Sequence, residues 1–303
     1  WEKLPPVTDL SSFLEGPGLS LTNDTLKDPA AVCEFSVQEI SWHFPHAMQQ
    51  LYSCWSFWRA NKEKSSILYH TSWHPALIGS KPNEFTPGFV RALQEAASVQ
   101  ISTRSKHAQV AARRKFDGAS TYPMLDKPKD ARNLAELVRS HYKIPLLSGC
   151  GKKPRIAILN RKKDFLRSFL NINEMVRNLG HALGLPIHVE YFESTSFLDQ
   201  VAFFSSYDIV ISPHGAQLTA LLFMASANSP CSTLAEVFPR AYYRHFYVDL
   251  AHSAGIQHYA LYSSTRDPET DQREREGTME ARKKVRNVNF CLPPERFASL
   301  VVK

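Results

Sequence analysis

The chain has 303 residues, 43% of them hydrophobic and 21% charged, which fits a folded protein and excludes wholesale disorder. At about 150 residues per domain the length suits two domains or one large one. Apolar runs such as Leu221 to Ala225 fall far short of the roughly 18 residues that cross a bilayer. Lys and Arg number 36 against 29 Asp and Glu, a net charge of +7; that excess suits an anionic ligand, whether nucleotide, phosphate, nucleic acid or lipid surface.

Residues 1–30, rich in Pro, Ser, Gly and Asp, read as an irregular N-terminal arm. The chain starts at Trp1, which reads as a processed piece whose signal or anchor lies outside it. A sequon at Asn23-Asp24-Thr25 permits glycosylation. A helix is expected from near His43, with Phe44, Met48, Leu51, Tyr52, Trp55 and Trp58 on one face. Ser65 to His70 reads as a strand, and Thr86-Pro87 opens a second helix through Phe89, Val90 and Leu93. The stretch from Gln100 to Ser120 carries Arg104, Lys106, Arg113, Arg114 and Lys115. With little aromatic interleaving and no nucleic-acid-binding pattern, it reads as a solvated helix face. Asp130 to Tyr142 is an amphipathic helix, and the cluster of Pro145, Gly149 and Gly151 marks a domain boundary.

The second half is more regular. Strands are expected at Arg155 to Leu159, Ile187 to Phe192, Asp208 to Ser212 and Leu234 to Phe238. Between them lie helices at Asn171 to Leu183, ended by Gly184, at Phe197 to Ser205, capped by Ser196, and at Leu218 to Met224. Such alternation indicates a parallel sheet with right-handed crossovers. The mixed-sign run to Arg286 reads as an exposed helix, followed by a strand at Val288 to Phe290 and a short helix after Pro294.

Five cysteines lie far apart without a CxxC pair, which disfavours a zinc ribbon. Two disulfides with one free thiol and five reduced thiols both remain open.

In an open α/β sheet, ligands bind beyond the carboxyl ends of the strands. Asn160 and Arg161 follow the first strand of the second half, with Arg167 six residues on; arginine there can neutralise a diphosphate or form a surface salt bridge. Ser212-Pro213-His214-Gly215-Ala216-Gln217 joins a strand to an apolar helix, so backbone N–H groups at the turn make an anion site. His214 on that turn can donate to a phosphate or leaving group. Glu236 sits inside an apolar strand and needs a partner, either ribose hydroxyls or a nearby Arg. In the first half, His46 is a candidate general base or a packed imidazole. The spacing of His43, His46, His70 and His74 does not suit a metal, and no Asp-x-Asp occurs in the chain.

The segments Asn160-Arg161, Arg167-x-x-x-Asn171-x-x-Glu174, Ser196-Phe197-x-x-Gln200-Val201, DIVISPHGAQLT from Asp208 and Glu236-Val237-Phe238-Pro239 follow one another in order. Together they resemble glycosyltransferase family 61. The resemblance implies two Rossmann-like domains of GT-B type: an acceptor-side α/β domain at 31–150, a nucleotide-sugar domain at 151–265 and a charged C-terminal segment at 266–303. It implies an inverting transfer of xylose or GlcNAc from a UDP-sugar to a glycan or glycoprotein hydroxyl, with no metal cofactor and no nucleic-acid partner. By position it puts the donor site on Asn160, Arg161, Arg167, Ser212, Gly215, Ala216, Gln217 and Glu236, with His46 and His214 as catalytic candidates. It also implies a Golgi or ER lumenal location, with the membrane reached only through an anchor outside this chain. The segment from His46 matches an H-x-x-x-acid pattern except that Gln50 replaces the acid, and His43 stands where the family has Asn. That departure motivates the alternative of a catalytically inactive relative that binds a glycan or nucleotide sugar. An oxidoreductase would need a G-x-G-x-x-G, which is missing.

Overall fold

Two all-parallel sheets organise the chain, each within one of two compact units. The architecture is that of a computed structural model describing residues 30–35, 44–62, 64–70, 85–102, 110–116, 124–147, 153–193, 195–224, 231–240, 242, 244–263 and 284–293. One unit comprises Trp1–Ile144 with Ser196–Asp199, the other Pro145–Thr195 with Gln200–Lys303. No helix among the described residues is long and apolar enough to cross a membrane.

In the first unit, β1 (Ala30–Phe35), β2 (Ser65–His70), β3 (Gln100–Ser102) and β4 (Val110–Phe116) form a sheet in the order β3-β2-β1-β4. Helices α1 (Phe44–Ala60), α2 (Phe85–Ala97) and α3 (Pro128–His141) accompany it. The α1 face is as the sequence predicts: Met48, Leu51, Tyr52, Trp55 and Trp58 are buried. The two indoles also tie the unit together. Trp58 Nε1 donates to Ala31 O of β1 at 3.1 Å, and Trp55 Nε1 to Asp130 O of α3 at 2.9 Å. Cys33 of β1 is disulfide-bonded to Cys54 of α1. Cys231 is also disulfide-bonded and Cys291 is free, so the chain takes the oxidised of the two alternatives left open by the sequence.

The expected basic helix within Gln100 to Ser120 is a correction. Its described parts are the strands β3 and β4. Among the described residues β4 pairs only with β1 and forms an edge of the sheet, where charge is the usual guard against pairing with another chain. The charges have local partners: Arg113 meets Glu34 at 3.5 Å, and Arg114 meets Asp126 at 3.5 Å. β1 also went unpredicted, because a short Ala-Ala-Val-Cys run carries no period that separates strand from loop.

In the second unit, β5 (Ile156–Asn160), β6 (Ile187–Tyr191), β7 (Ile209–Pro213), β8 (Thr233–Phe238) and β9 (Gln257–Tyr262) lie in the order β6-β5-β7-β8-β9. Helices α4 (Ile172–Leu183), α5 (Phe197–Ser206, its residues to Asp199 counted with the first unit) and α6 (Phe246–Ala254) separate them, and the helix expected at Leu218 to Met224 is a 3-10 helix at Ala216–Met224. Every residue of β5 is buried, as its continuous apolar run requires in a parallel sheet. Gly184 ends α4 in the left-handed region at φ 62°, its N–H bonded to Gly180 O. Ser196 Oγ accepts the N–H of Asp199 at 3.2 Å, the predicted cap of α5. Ile156, Ile158, Ile211 and Val237 pack with Met175 and Leu179 of α4. Phe290 and Leu292, from the far end of the chain, join that core. The expected strand at Val288 to Phe290 is reduced to a single bridge between Phe290 and Phe169.

The order β6-β5-β7 fixes where a ligand belongs. The chain leaves β5 for β6 on one side and returns to β7 on the other. The carboxyl ends of β5 and β7 therefore flank the switch point, the usual ligand crevice of such sheets.

Candidate functional site

A loop and a turn meet the switch point. Asn160 ends β5 and is spent on its own loop: its Nδ2 donates to Phe169 O at 3.2 Å, and its Oδ1 accepts Phe169 N–H at 2.9 Å. Both halves of the amide thus close the loop that carries Arg161 and Arg167. Within the loop, Leu166 and Arg167 sit at φ 59° and 61°, Leu166 with ψ 154°; positive φ costs a side-chain-bearing residue about 1–3 kcal/mol. Arg167 Nη1 donates to His214 O at 3.2 Å.

Both arginines are half-buried, and each buries one guanidinium nitrogen without a hydrogen-bond partner. Arg161 Nη1 and Arg167 Nε have no partner. Burial lowers the pKa of Arg161, against the favourable influence of Glu193 and Tyr247. Burial, and then the like charge of Arg161, bring Arg167 down to about 10. Both remain cations near neutral pH. A pair of partly unsatisfied, mutually repelling cations stores a cost that an anion relieves.

The turn after β7 supplies the rest. Ser212 is buried; its Oγ donates to Pro213 O at 3.1 Å and accepts from Gln217 Nε2 at 3.2 Å, which also reaches Pro213 O at 3.1 Å. These bonds brace the turn. Gly215 is not in the left-handed region, so any cost of a side chain there comes from displacing the Gln217 amide and not from φ. A Cβ at Gly215 would lie 2.6 Å from Gln217 Oε1 and 3.6 Å from Arg161 Nη1. The 3-10 helix then begins at Ala216, and N–H groups of a first turn have no intrahelical acceptor.

Glu236 of β8 has an environment that neither sequence alternative anticipates. Its side chain is 0% exposed. Oε1 lies 2.6 Å from His214 Nδ1, and Oε2 lies 2.8 Å from His258 Nε2 on β9. An ionised carboxylate only accepts hydrogen bonds, so His214 carries its proton on Nδ1 and leaves Nε2 for a ligand. Phe238 stacks on the His214 ring at 5.2 Å, with Tyr242 and Tyr247 each at 5.4 Å. Tyr247 is buried, and that burial raises its pKa above the ordinary phenol value.

Asn160, Arg161, Arg167, Ser212, His214, Gly215, Ala216, Gln217 and Glu236 therefore all lie in the second unit, around the carboxyl ends of β5, β7 and β8. His46 lies on α1 in the first unit; its side chain is outside the described residues, as are His43, His74 and the side chain of His70. Sequence reasoning missed His258, Tyr242 and Tyr247. None belongs to a motif, and only the pairing of β8 with β9 aligns the strand of His258 with that of Glu236. Among the described residues, no three or more His, Cys, Asp or Glu side chains gather as a metal site.

No curated protein matches the chain. A family profile described as Glycosyltransferase 61 matches residues 44–229, more than half of the chain.

Proposed function

Because the chain belongs to glycosyltransferase family 61, we propose that it transfers a sugar, xylose or GlcNAc, from a UDP-sugar to a hydroxyl of a glycan or glycoprotein with inversion. The observation that carries the donor assignment is the pair of half-buried arginines, each with one buried, unpartnered guanidinium nitrogen, beside the switch point. A diphosphate has the charge and the acceptor oxygens to satisfy them.

In this reading Arg161, Arg167 and the N–H groups at the start of the 3-10 helix hold the departing diphosphate. Fixed cations and dipoles stabilise charge as it develops in the transition state, so the transfer needs no metal. His214, oriented by Glu236, offers Nε2 to the phosphate. An aspartate orients the histidine of a hydrolase triad by the same logic. His46 of α1 serves as base toward the acceptor hydroxyl. The two units act as the two domains of a GT-B enzyme. The disulfide between Cys33 and Cys54 suits an oxidising compartment, and the Golgi or ER lumen is the location we assign.

Calorimetric titration with a panel of nucleotides and nucleotide sugars, in EDTA, tests the reading. The expected result is binding of UDP or one UDP-sugar, weakened at least tenfold by Arg161→Ala, since a charged hydrogen bond contributes about 1.5–3 kcal/mol. Absence of nucleotide binding in the unsubstituted protein would sink the donor assignment. A second reading, a non-catalytic binding relative, is favoured by one observation: Gln50, standing in place of the family's acid, is buried with its Oε1 unpartnered. Sugar transfer to any acceptor hydroxyl excludes it.

A further inference from the structure

The arginine loop is held from an unexpected quarter. Asn289 lies more than 120 residues downstream, beyond the family match. Its Oδ1 accepts Ser168 N–H at 3.0 Å, and its Nδ2 donates to Lys163 O at 3.0 Å. One side chain thus spans the two ends of the segment containing Leu166 and Arg167, the residues with positive φ. The neighbouring backbone reinforces it: Phe290 N–H donates to Ser168 O at 3.1 Å, and Leu170 N–H to Phe290 O at 3.0 Å. Asn171 then closes a reciprocal pair with Leu292, Nδ2 to O at 2.9 Å and N–H to Oδ1 at 3.2 Å. Phe290 and Leu292 are buried in the core against Phe169, so the strap is anchored by packing as well as by hydrogen bonds.

This arrangement has a physical purpose. A left-handed Leu-Arg pair is intrinsically disfavoured and persists only where the surroundings over-determine it. Asn160 grips the loop at Phe169, and Asn289 grips it at Lys163 and Ser168. Between these two grips Arg167 extends to His214 O.

We propose that Asn289 is a positioning residue for the anion site: it locks the left-handed turn that aims Arg167, so the C-terminal strap is a working part of donor binding. The proposal rests on the donor-diphosphate reading above. It extends the site to a segment that neither the family match nor any sequence motif includes.

The test is calorimetric binding of UDP and of inorganic pyrophosphate to the full chain, for the unsubstituted protein, Asn289→Ala, Asn289→Asp, Arg167→Lys and the double variant Asn289→Ala/Arg167→Lys. The expected result is about tenfold weaker binding in Asn289→Ala, the scale of one misaligned charged hydrogen bond. Asn289→Asp keeps the acceptor for Ser168 N–H but sets a carboxylate oxygen against Lys163 O, so it should weaken binding at least as much. The decisive readout is the double variant. If Asn289 acts through Arg167, its loss costs less on the Arg167→Lys background than alone, a coupling that general weakening of the fold does not produce. Unchanged affinity in Asn289→Ala, or losses that simply add, would overturn the proposal. Should Asn289→Ala fail to fold, Asn289→Asp decides by the same criterion, read against its melting temperature. Failure of the donor reading looks different. If the unsubstituted protein binds pyrophosphate but not UDP, the nucleotide is wrong while the strap is still tested with pyrophosphate. If it binds neither, both readings fall.

Discussion

Glu236 shows how one residue's role depends on partners that its own neighbourhood in sequence does not name. A carboxylate with no exposure is costly unless every lone pair has a donor. Here two imidazoles supply the donors, each 22 residues away in sequence, one on either side. Removing one leaves a buried charge half-satisfied. His258→Phe should therefore cost about 3 kcal/mol, the scale of a broken buried pair, and His258→Gln, which retains an N–H donor, distinctly less. Urea denaturation of the variants measures both. Equal stability of His258→Phe and the unsubstituted protein would mean that Glu236 is not held as an anion. The presence of a partner was legible from the sequence, because an acid inside LAEV demands one. The partner's identity was not.

At the scale of elements, the sequence served best where one local signal sufficed. The end of α4 is an example: a glycine just past an amphipathic run is where a left-handed residue is wanted, and Gly184 has φ 62°. A Cβ there would meet nothing within 4 Å. Gly184→Ala therefore isolates backbone strain from packing, and thermal melting should register a loss of about 1 kcal/mol. A loss several times larger would point to a contact that the geometry does not contain. The basic segment around Arg113 failed for the complementary reason. Charged residues at an open sheet edge and charged residues on a helix face look alike in composition. Only the pairing of β4 with β1 separates them. β9 was missed likewise, since Gln257 to Tyr262 mixes polar and aromatic residues and gains strand character from its place beside β8.

For the molecule as a whole, the disulfide between Cys33 and Cys54 joins the strand β1 to the helix that follows it, across a separation of 21 residues. In the chain-entropy view, closing a loop of that length contributes about 3 kcal/mol. Cys33→Ser/Cys54→Ser should lower stability by that order, measured by denaturant unfolding. Retention of full stability would show that burial of β1 and α1 alone holds this part of the first unit. Donor affinity should survive in any variant that remains folded, because the anion-binding residues all belong to the second unit.

What the sequence determined by itself was much of the local content of the second unit: the strands β5 to β8, the helices α4 and α5 with their end signals, the turn from Ser212 to Gln217 and the ordered motifs of the family. Each of these is set by residues a few positions apart, whose periodicity and turn chemistry act before any long-range contact forms. Tertiary structure alone decided that β5 and β7 flank the crevice, that His214 and His258 share one carboxylate, and that Asn289 steadies the arginine loop. The reason is physical. A parallel sheet pairs strands separated by whole crossovers, and a hydrogen bond across 121 residues imposes no period or spacing on the chain that a reader of sequence could find.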